Sequence, residues 1–420
     1  MLKLLKKVMV VVLAGGKGER LEPLTRDRTK PAVPFGGIYR IIDFSLSNAV
    51  NSNLRKIIVL VQYKCVSLNR HIREGWNFLS SSLGEYIETI SPQQRVSDRW
   101  YLGTADAVYQ NLYSIEKEEP EYVLILAGDH VYKMDYNNIL RFHRDSGADI
   151  TVSAIEVPRG TANLYGIMQI DGNSNIISFA EKPACSEAKT IPANSNACLA
   201  SMGIYVFKTQ ALYKLLQEDD QDQKSSHDFG RDIIPKSLGK YKTLAFSFVD
   251  ENQPDRHGLA GKKQAKYWRD VGTIDAYYQA NMDLVSVTPL LNLYDSDWPI
   301  HTAIPPVPPP KFVFAGGEQP DRIGTAMDSM VSPGCIISGG QVSNSVLSPN
   351  IRIHSFSKIA NSILFENVRV GRYAKIKNAI IDKDVVIPEH AEIGYNIESD
   401  KQRFTVSPGG IVVISKGAVL

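Results

Sequence analysis

Short apolar runs recur through the first two thirds of the chain, at VMVVVLA (8–14), KIIVLVQY (56–63), YVLILAGD (122–129) and ITVSAIEV (150–157). Between them lie stretches with helical spacing, such as YNNILRFHRDSG (136–147). Continuous apolar strands alternating with amphipathic helices predict an α/β domain with a Rossmann-like, mostly parallel sheet covered by helices. Ligands of such a sheet bind at the C-terminal ends of its strands. This domain is expected over residues 1–288.

The pattern then breaks. PLLNLYDSDWPIHTAIPPVPPPK (289–311) carries seven prolines, which exclude regular helix and central strand. It reads as a linker, and its aromatic and aliphatic residues predict that it lies along a surface rather than swinging free. From 312 to 420 a third pattern appears, with a period of 17 residues. Ile336, Ile353, Val370 and Ile387 form one series, Val342, Ile359, Ile376 and Ile393 a second, and Val346, Ile363 and Ile380 a third, while Asn344, Asn361 and Asn378 keep the same register. Apolar positions six apart within a period, as in Ile353 to Ile359, approach three hexapeptides per coil. A triangular parallel β-helix explains this, each coil placing one aliphatic side chain per side into a shared core.

Composition narrows the functional classes. The formal net charge is +2, from 47 basic and 45 acidic residues, so no global field favours nucleic acid or an anionic membrane, and any anion must be bound locally. Cys65, Cys185, Cys198 and Cys335 are far apart and form no C-x-x-C pair, which fits a reducing cytoplasm and neither a disulfide framework nor a zinc knuckle. The start, MLKLLKKVMVVVLAGG, resembles a secretory leader, but the apolar run leads into a glycine loop that cleavage would destroy, so it is expected to be the first strand. No apolar stretch approaches the roughly 20 residues of a spanning helix.

The candidate chemistry begins in that loop. VLAGGKGERLEPLTRDRTKPAV (12–33) sets a glycine pair before Lys17, Arg20, Arg26, Arg28 and Lys30. It lacks the third glycine of a dinucleotide fingerprint and the G-K-[ST] of a P-loop. What it keeps is the physics those loops share: amides that can approach an anion, with Arg20 and Lys30 to neutralise phosphate oxygens. Taken alone, the motif is moderately specific, and a tight strand-to-helix turn with solvated charges is its alternative. Asp129 follows an apolar strand and a glycine, a placement suited to Mg²⁺, and Asp270 in YWRDVGT could complete the coordination. In FAEKP (179–183), Glu181 and Lys182 could grip the hydroxyls and phosphate of a phosphosugar, or form a solvated surface turn. In WYLGTADAVYQN (100–111), Gly103-Thr104-Ala105 precedes a helical run and offers a second close approach to a nucleotide.

Together with LAGDHVYKMDY, LASMGIYVF and DFGRDIIP, these motifs resemble the glucose-1-phosphate adenylyltransferases, the ADP-glucose pyrophosphorylases of bacterial glycogen synthesis, over nearly the whole chain. The resemblance implies transfer of the adenylyl group of ATP to α-D-glucose 1-phosphate with Mg²⁺, and a left-handed β-helix after the nucleotidyltransferase domain. It assigns Arg20, Lys30, Asp129 and Asp270 to catalysis, the two aspartates also to the metal. Gly15, Gly16, Gly18, Gln62, Gly103 and Thr104 would contact the nucleotide. Tyr101, Gly166, Glu181, Lys182, Ser201, Tyr205, Asp228 and Trp268 would contact the sugar phosphate. It further implies a cytoplasmic homotetramer regulated by glycolytic metabolites between the domains, with Arg40, Arg372 and Arg403 as phosphate-binding residues. Asp27 and Pro34 stand where the enterobacterial pattern has a basic residue and a histidine, which leaves the effector open. Residue chemistry alone does not separate adenine from guanine, and a non-catalytic regulatory relative is the alternative from another class.

Overall fold

The structure, a computed structural model, describes residues 2–93, 99–192, 194–252, 266–315, 319, 321–418 and 420. Its first domain is built on a nine-stranded sheet. Tyr86–Ile90, Lys56–Leu60, Val8–Leu13 and Tyr122–Ala127 lie side by side in parallel. Val8–Leu13, the stretch that imitates a leader, is thus an inner strand. Val8, Val10 and Val12 pack into one core, while Met9 and Val11 pack into the core on the opposite face. A strand covered on both sides has no reason to alternate with polar residues, which is why it reads as an unbroken apolar run.

The other half of the sheet is largely antiparallel. Ala197–Lys208 runs antiparallel to Tyr122–Ala127 and to Ile150–Pro158. Gly166–Ile170 and Ile176–Glu181 form a hairpin, closed by Asp171 accepting from the amides of Asn173 and Asn175. The run ITVSAIEV, expected in a parallel array, is parallel only to Thr243–Ser247.

The proline-rich stretch is strapped to the helix Ile42–Asn51. Trp298 Nε1 donates to Asn48 Oδ1 (2.9 Å), the His301 amide to Ser47 Oγ (2.8 Å) and Thr302 Oγ1 to Asp43 Oδ2 (2.7 Å). The predicted surface course is therefore observed.

Beyond it the strands stack as parallel coils at the predicted period: Val342 pairs with Ile359, Ile359 with Ile376, and Ile376 with Ile393. Asn344, Asn361 and Asn378 all have positive φ (43, 47 and 49°), so the asparagine repeat marks left-handed corners that this side chain tolerates. Two details differ from expectation. Ile337, not Ile336, is in register with Ile353, while Ile336 faces Arg352. Val342 follows Ile337 by five positions rather than six, and the turn between them uses Gly339 at φ 73°. The third series also does not enter the solenoid core. Leu347, Leu364 and Ile381 do, whereas Val346, Ile363 and Ile380 point outward and join Phe35, Phe44, Tyr277 and Phe365 in a core shared by the two domains. Adjacent residues of a strand face opposite ways, and here both faces are covered.

Candidate active site

A cavity of about 720 Å³ opens at the C-terminal ends of Val8–Leu13, Lys56–Leu60 and Tyr122–Ala127. Gly15 approaches Gln62 so closely that a Cβ would lie 3.3 Å from the Gln62 Cβ, whereas a Cβ on Gly16 would meet nothing within 4 Å. Gly18 is left-handed (φ 70°), and its carbonyl accepts from Thr25 Oγ1. The loop then enters only a single 3₁₀ turn, Glu19–Leu21. No helix dipole is available here, so anion binding falls to loop amides and to Arg20, whose side chain is half exposed.

Lys30 is the centre of the charged group. Its Nζ lies 2.9 Å from Asp129 Oδ2 and 2.7 Å from Asp270 Oδ1, with the lysine side chain buried. Burial disfavours the ammonium, but the charges of Asp129 and Asp270 outweigh it and raise the Lys30 pKa. Burial likewise opposes the Asp129 carboxylate, and Lys30 and His130 overcome it, holding the group well below the usual carboxylate range. Arg20 Nη2 stands 4.0 Å from Asp270 Oδ2. The two aspartates are joined by a short antiparallel ladder, His130–Tyr132 on Trp268–Asp270, which sets Asp270 opposite His130. Ligand atoms of Asp129, His130 and Asp270 all lie within 4.8 Å of one another. Two carboxylates supply the hard oxygen donors that Mg²⁺ prefers, so this set fits a divalent cation.

The sugar side is assembled around Glu181. A Cβ on Gly166 would come within 2.7 Å of Glu181 Oε2, and one on Gly230 within 2.4 Å; both glycines clear a slot for that carboxylate. Lys182 pairs with Glu181 Oε1 at 3.0 Å and is 47% exposed, leaving its ammonium accessible. Ser201 and Tyr205 flank a bulge at left-handed Gly203, with the hydroxyls 3.4 Å apart. Gln62 braces Tyr101, accepting from its amide (2.7 Å) and donating to its carbonyl (3.3 Å). Thr104 Oγ1 donates to Asp228 Oδ2 at 2.9 Å, tying the two sides together. The missing Gly103 side chain faces protein rather than ligand: a Cβ there would be 2.3 Å from the His227 carbonyl.

Of the residues expected here, Gly15, Gly16, Gly18, Arg20, Lys30, Gln62, Tyr101, Gly103, Thr104, Asp129, Glu181, Tyr205 and Asp228 line the cavity. Gly166, Lys182, Ser201, Asp270 and Trp268 stand outside its wall. Trp268 is buried between His130 and Tyr165, with ring centroids 4.9 and 5.3 Å away. For His130, Gly230 and Tyr63, the last stacked on Trp100, the sequence carries no signal beyond their positions within AGDH, DFG and VQY.

A second cleft, about 360 Å³, lies between the domains. Arg40 reaches it, donating to Ser67 Oγ (2.7 Å) and the Ala32 carbonyl (3.0 Å). Arg372 and Arg403 do not line it. Arg372 lies over the Phe356 and Tyr373 rings at a coil corner, and Arg403 over Phe404 at the end of the helix Ile397–Arg403. The cleft's cations are instead Arg28, Arg40, Arg70, Lys383 and Lys416. Arg28 makes a buried two-point pair with Asp382. Lys383, paired with Glu366, has its pKa brought down to about 8 by burial and by Arg40.

Comparison with known proteins agrees with this layout. Residues 9–287 match the nucleotidyl transferase family and residues 308–414 the GlmU-like C-terminal hexapeptide family. The chain is 54% identical, over 97% of its length and 94% of the relative's, to the glucose-1-phosphate adenylyltransferase of Koribacter versatilis (strain Ellin345). It is 51% identical to the enzyme of that name from Rhodopirellula baltica, over 99% and 92% of the two chains. The chain belongs to the glucose-1-phosphate adenylyltransferase family. As a family of nucleotidyltransferases, the glucose-1-phosphate adenylyltransferases act with a divalent metal ion. No helix among the described residues is long and apolar enough to cross a membrane.

Proposed function

We propose that this chain transfers the adenylyl group of ATP to α-D-glucose 1-phosphate, giving ADP-glucose and pyrophosphate for α-glucan synthesis. The observation that carries this reading is the joining of the Lys30–Asp129–Asp270 cluster and a Glu181–Lys182 sugar-phosphate grip in a chain 54% identical to a glucose-1-phosphate adenylyltransferase.

No protein nucleophile is needed, because an ionised phosphate oxygen of the sugar attacks the α-phosphorus in line with departing pyrophosphate. Asp129 and Asp270 would hold Mg²⁺, which supplies charge neutralisation at the α-phosphate when bound. Arg20 and Lys30 offset charge growing on pyrophosphate, and Lys182 holds the attacking phosphate. Tyr101, Glu181, Tyr205 and Asp228 orient the sugar, and the glycine loop with Gln62, Gly103 and Thr104 receives the nucleotide. The protein acts as a cytoplasmic homotetramer, with glycolytic metabolite effectors in the interdomain cleft at Arg40.

A pyrophosphate-release assay across nucleoside triphosphates and sugar phosphates tests this. Turnover should be greatest with ATP and glucose 1-phosphate. A preference for GTP and mannose 1-phosphate would reassign the substrates, and no turnover with any pair would favour a regulatory subunit. Fructose 1,6-bisphosphate, fructose 6-phosphate and pyruvate then test regulation, which fails if none alters the rate.

A further inference from the structure

The two sides of the cavity meet at a joint whose supporting residues lie off the cavity wall. His227 is a non-glycine residue in the left-handed region (φ 53°), a conformation that persists only where the surroundings enforce it. Its imidazole is buried, and Nδ1 lies 2.8 Å from Oδ2 of buried Asp219. The other carboxylate oxygen of Asp219 accepts from Ser225 Oγ (2.7 Å) and Lys236 Nζ (2.9 Å), and Ser225 Oγ accepts from the His227 amide (3.0 Å). The pinned residue aims its carbonyl at the start of the helix Thr104–Tyr109, accepting from the Ala105 amide at 2.8 Å. Only glycine fits at position 103 beside that carbonyl. One residue to the nucleotide side, Thr104 donates to Asp228, one residue to the sugar side.

We infer that the His227–Asp219 pair is a positioning device that sets the nucleotide half of the site against the sugar half. This inference rests on the adenylyl transfer proposed above. Neither residue lines the cavity, so neither is a catalytic residue. Their effect passes through the His227 carbonyl to Gly103 and Thr104, and through the chain to Asp228. Each half keeps its own contacts without the pair, but their mutual distance and angle would no longer be fixed. In-line attack depends on that relation, and a displacement of about 1 Å can cost on the order of a hundredfold in rate.

Three variants separate side chain from backbone. His227→Gly keeps the left-handed backbone accessible and deletes the bond to Asp219, whereas His227→Asn tolerates the same backbone and offers an amide donor near the Nδ1 position. With ATP, glucose 1-phosphate and Mg²⁺, His227→Gly should lower kcat at least about tenfold, and His227→Asn should stay within about threefold of wild type. Dissociation constants for ATP, measured calorimetrically without the sugar phosphate, should agree within about threefold across the three proteins. If His227→Gly does not fold, Asp219→Asn, which keeps shape but removes the charge holding the imidazole, should give the same split. Unchanged kcat in His227→Gly, equal impairment of both His227 variants, or loss of ATP binding in proportion to rate overturns the inference. Wild-type protein without turnover overturns the functional reading instead.

Discussion

Arg28 and Asp382 offer a quantitative test of how the domains are held together. Their side chains are 4% and 2% exposed, with guanidinium nitrogens 2.9 and 3.1 Å from the two carboxylate oxygens. At about 3 Å and an effective dielectric near 20, Coulomb attraction is about 6 kcal/mol. Removing both ions from water costs several kcal/mol each, so the pair adds little relative to an apolar pair of similar volume. Deleting one partner is different, because the other charge is stranded in the interface. Asp382→Ala should therefore destabilise the protein by about 3–5 kcal/mol, while Arg28→Met with Asp382→Leu should cost no more than about 1 kcal/mol. Asp382 also accepts from the Lys383 amide (2.7 Å), which puts the single-variant cost toward the upper end. Urea denaturation followed by circular dichroism and tyrosine–tryptophan fluorescence measures these differences. A loss below about 1 kcal/mol in Asp382→Ala, or a double variant as unstable as the summed singles, would refute the reasoning.

Further outcomes follow from other sites. Lys182→Ala should mainly raise KM for glucose 1-phosphate, and Asp129→Ala should mainly lower kcat; steady-state kinetics with the reverse pattern would cancel these roles. Gly103→Ala places a Cβ 2.3 Å from the His227 carbonyl and 2.5 Å from that of Ser226, a backbone clash expected to cost at least about 1–3 kcal/mol in thermal unfolding. Burial lowers the His143 pKa from 6.5 to about 4. The unfolded chain therefore binds the proton first as pH falls, and stability contributed by this group is level above pH 6.5 and lost between there and about 4, by roughly 3 kcal/mol. His143→Gln should flatten that part of the acid denaturation curve.

The long apolar runs were legible because strands covered on both faces leave an unmistakable pattern, and the 17-residue repeat because stacked coils align equivalent residues. What the repeat could not reveal was direction. Val346, Ile363 and Ile380 are as aliphatic as Leu347, Leu364 and Ile381, and only the catalytic domain's presence distinguishes interface from core. In the candidate site, residues attached to strand ends and glycine turns, such as Asp129 and Glu181, could be found from local pattern. His130 could not, since its place depends on pairing with a strand far along the chain. Arg372 and Arg403 were grouped with Arg40 by resemblance, but their positions depend on how coil corners face the first domain, and each stacks on neighbouring rings instead.

The outward row of the solenoid makes its coils unsuitable as a detachable cassette. A fragment starting near residue 312 would expose Val346, Ile363, Phe365 and Ile380 as one apolar stripe, inviting self-association during expression. Exchanging catalytic domains between solenoids would therefore require recutting this stripe to match, together with the Asp382 carboxylate that meets Arg28.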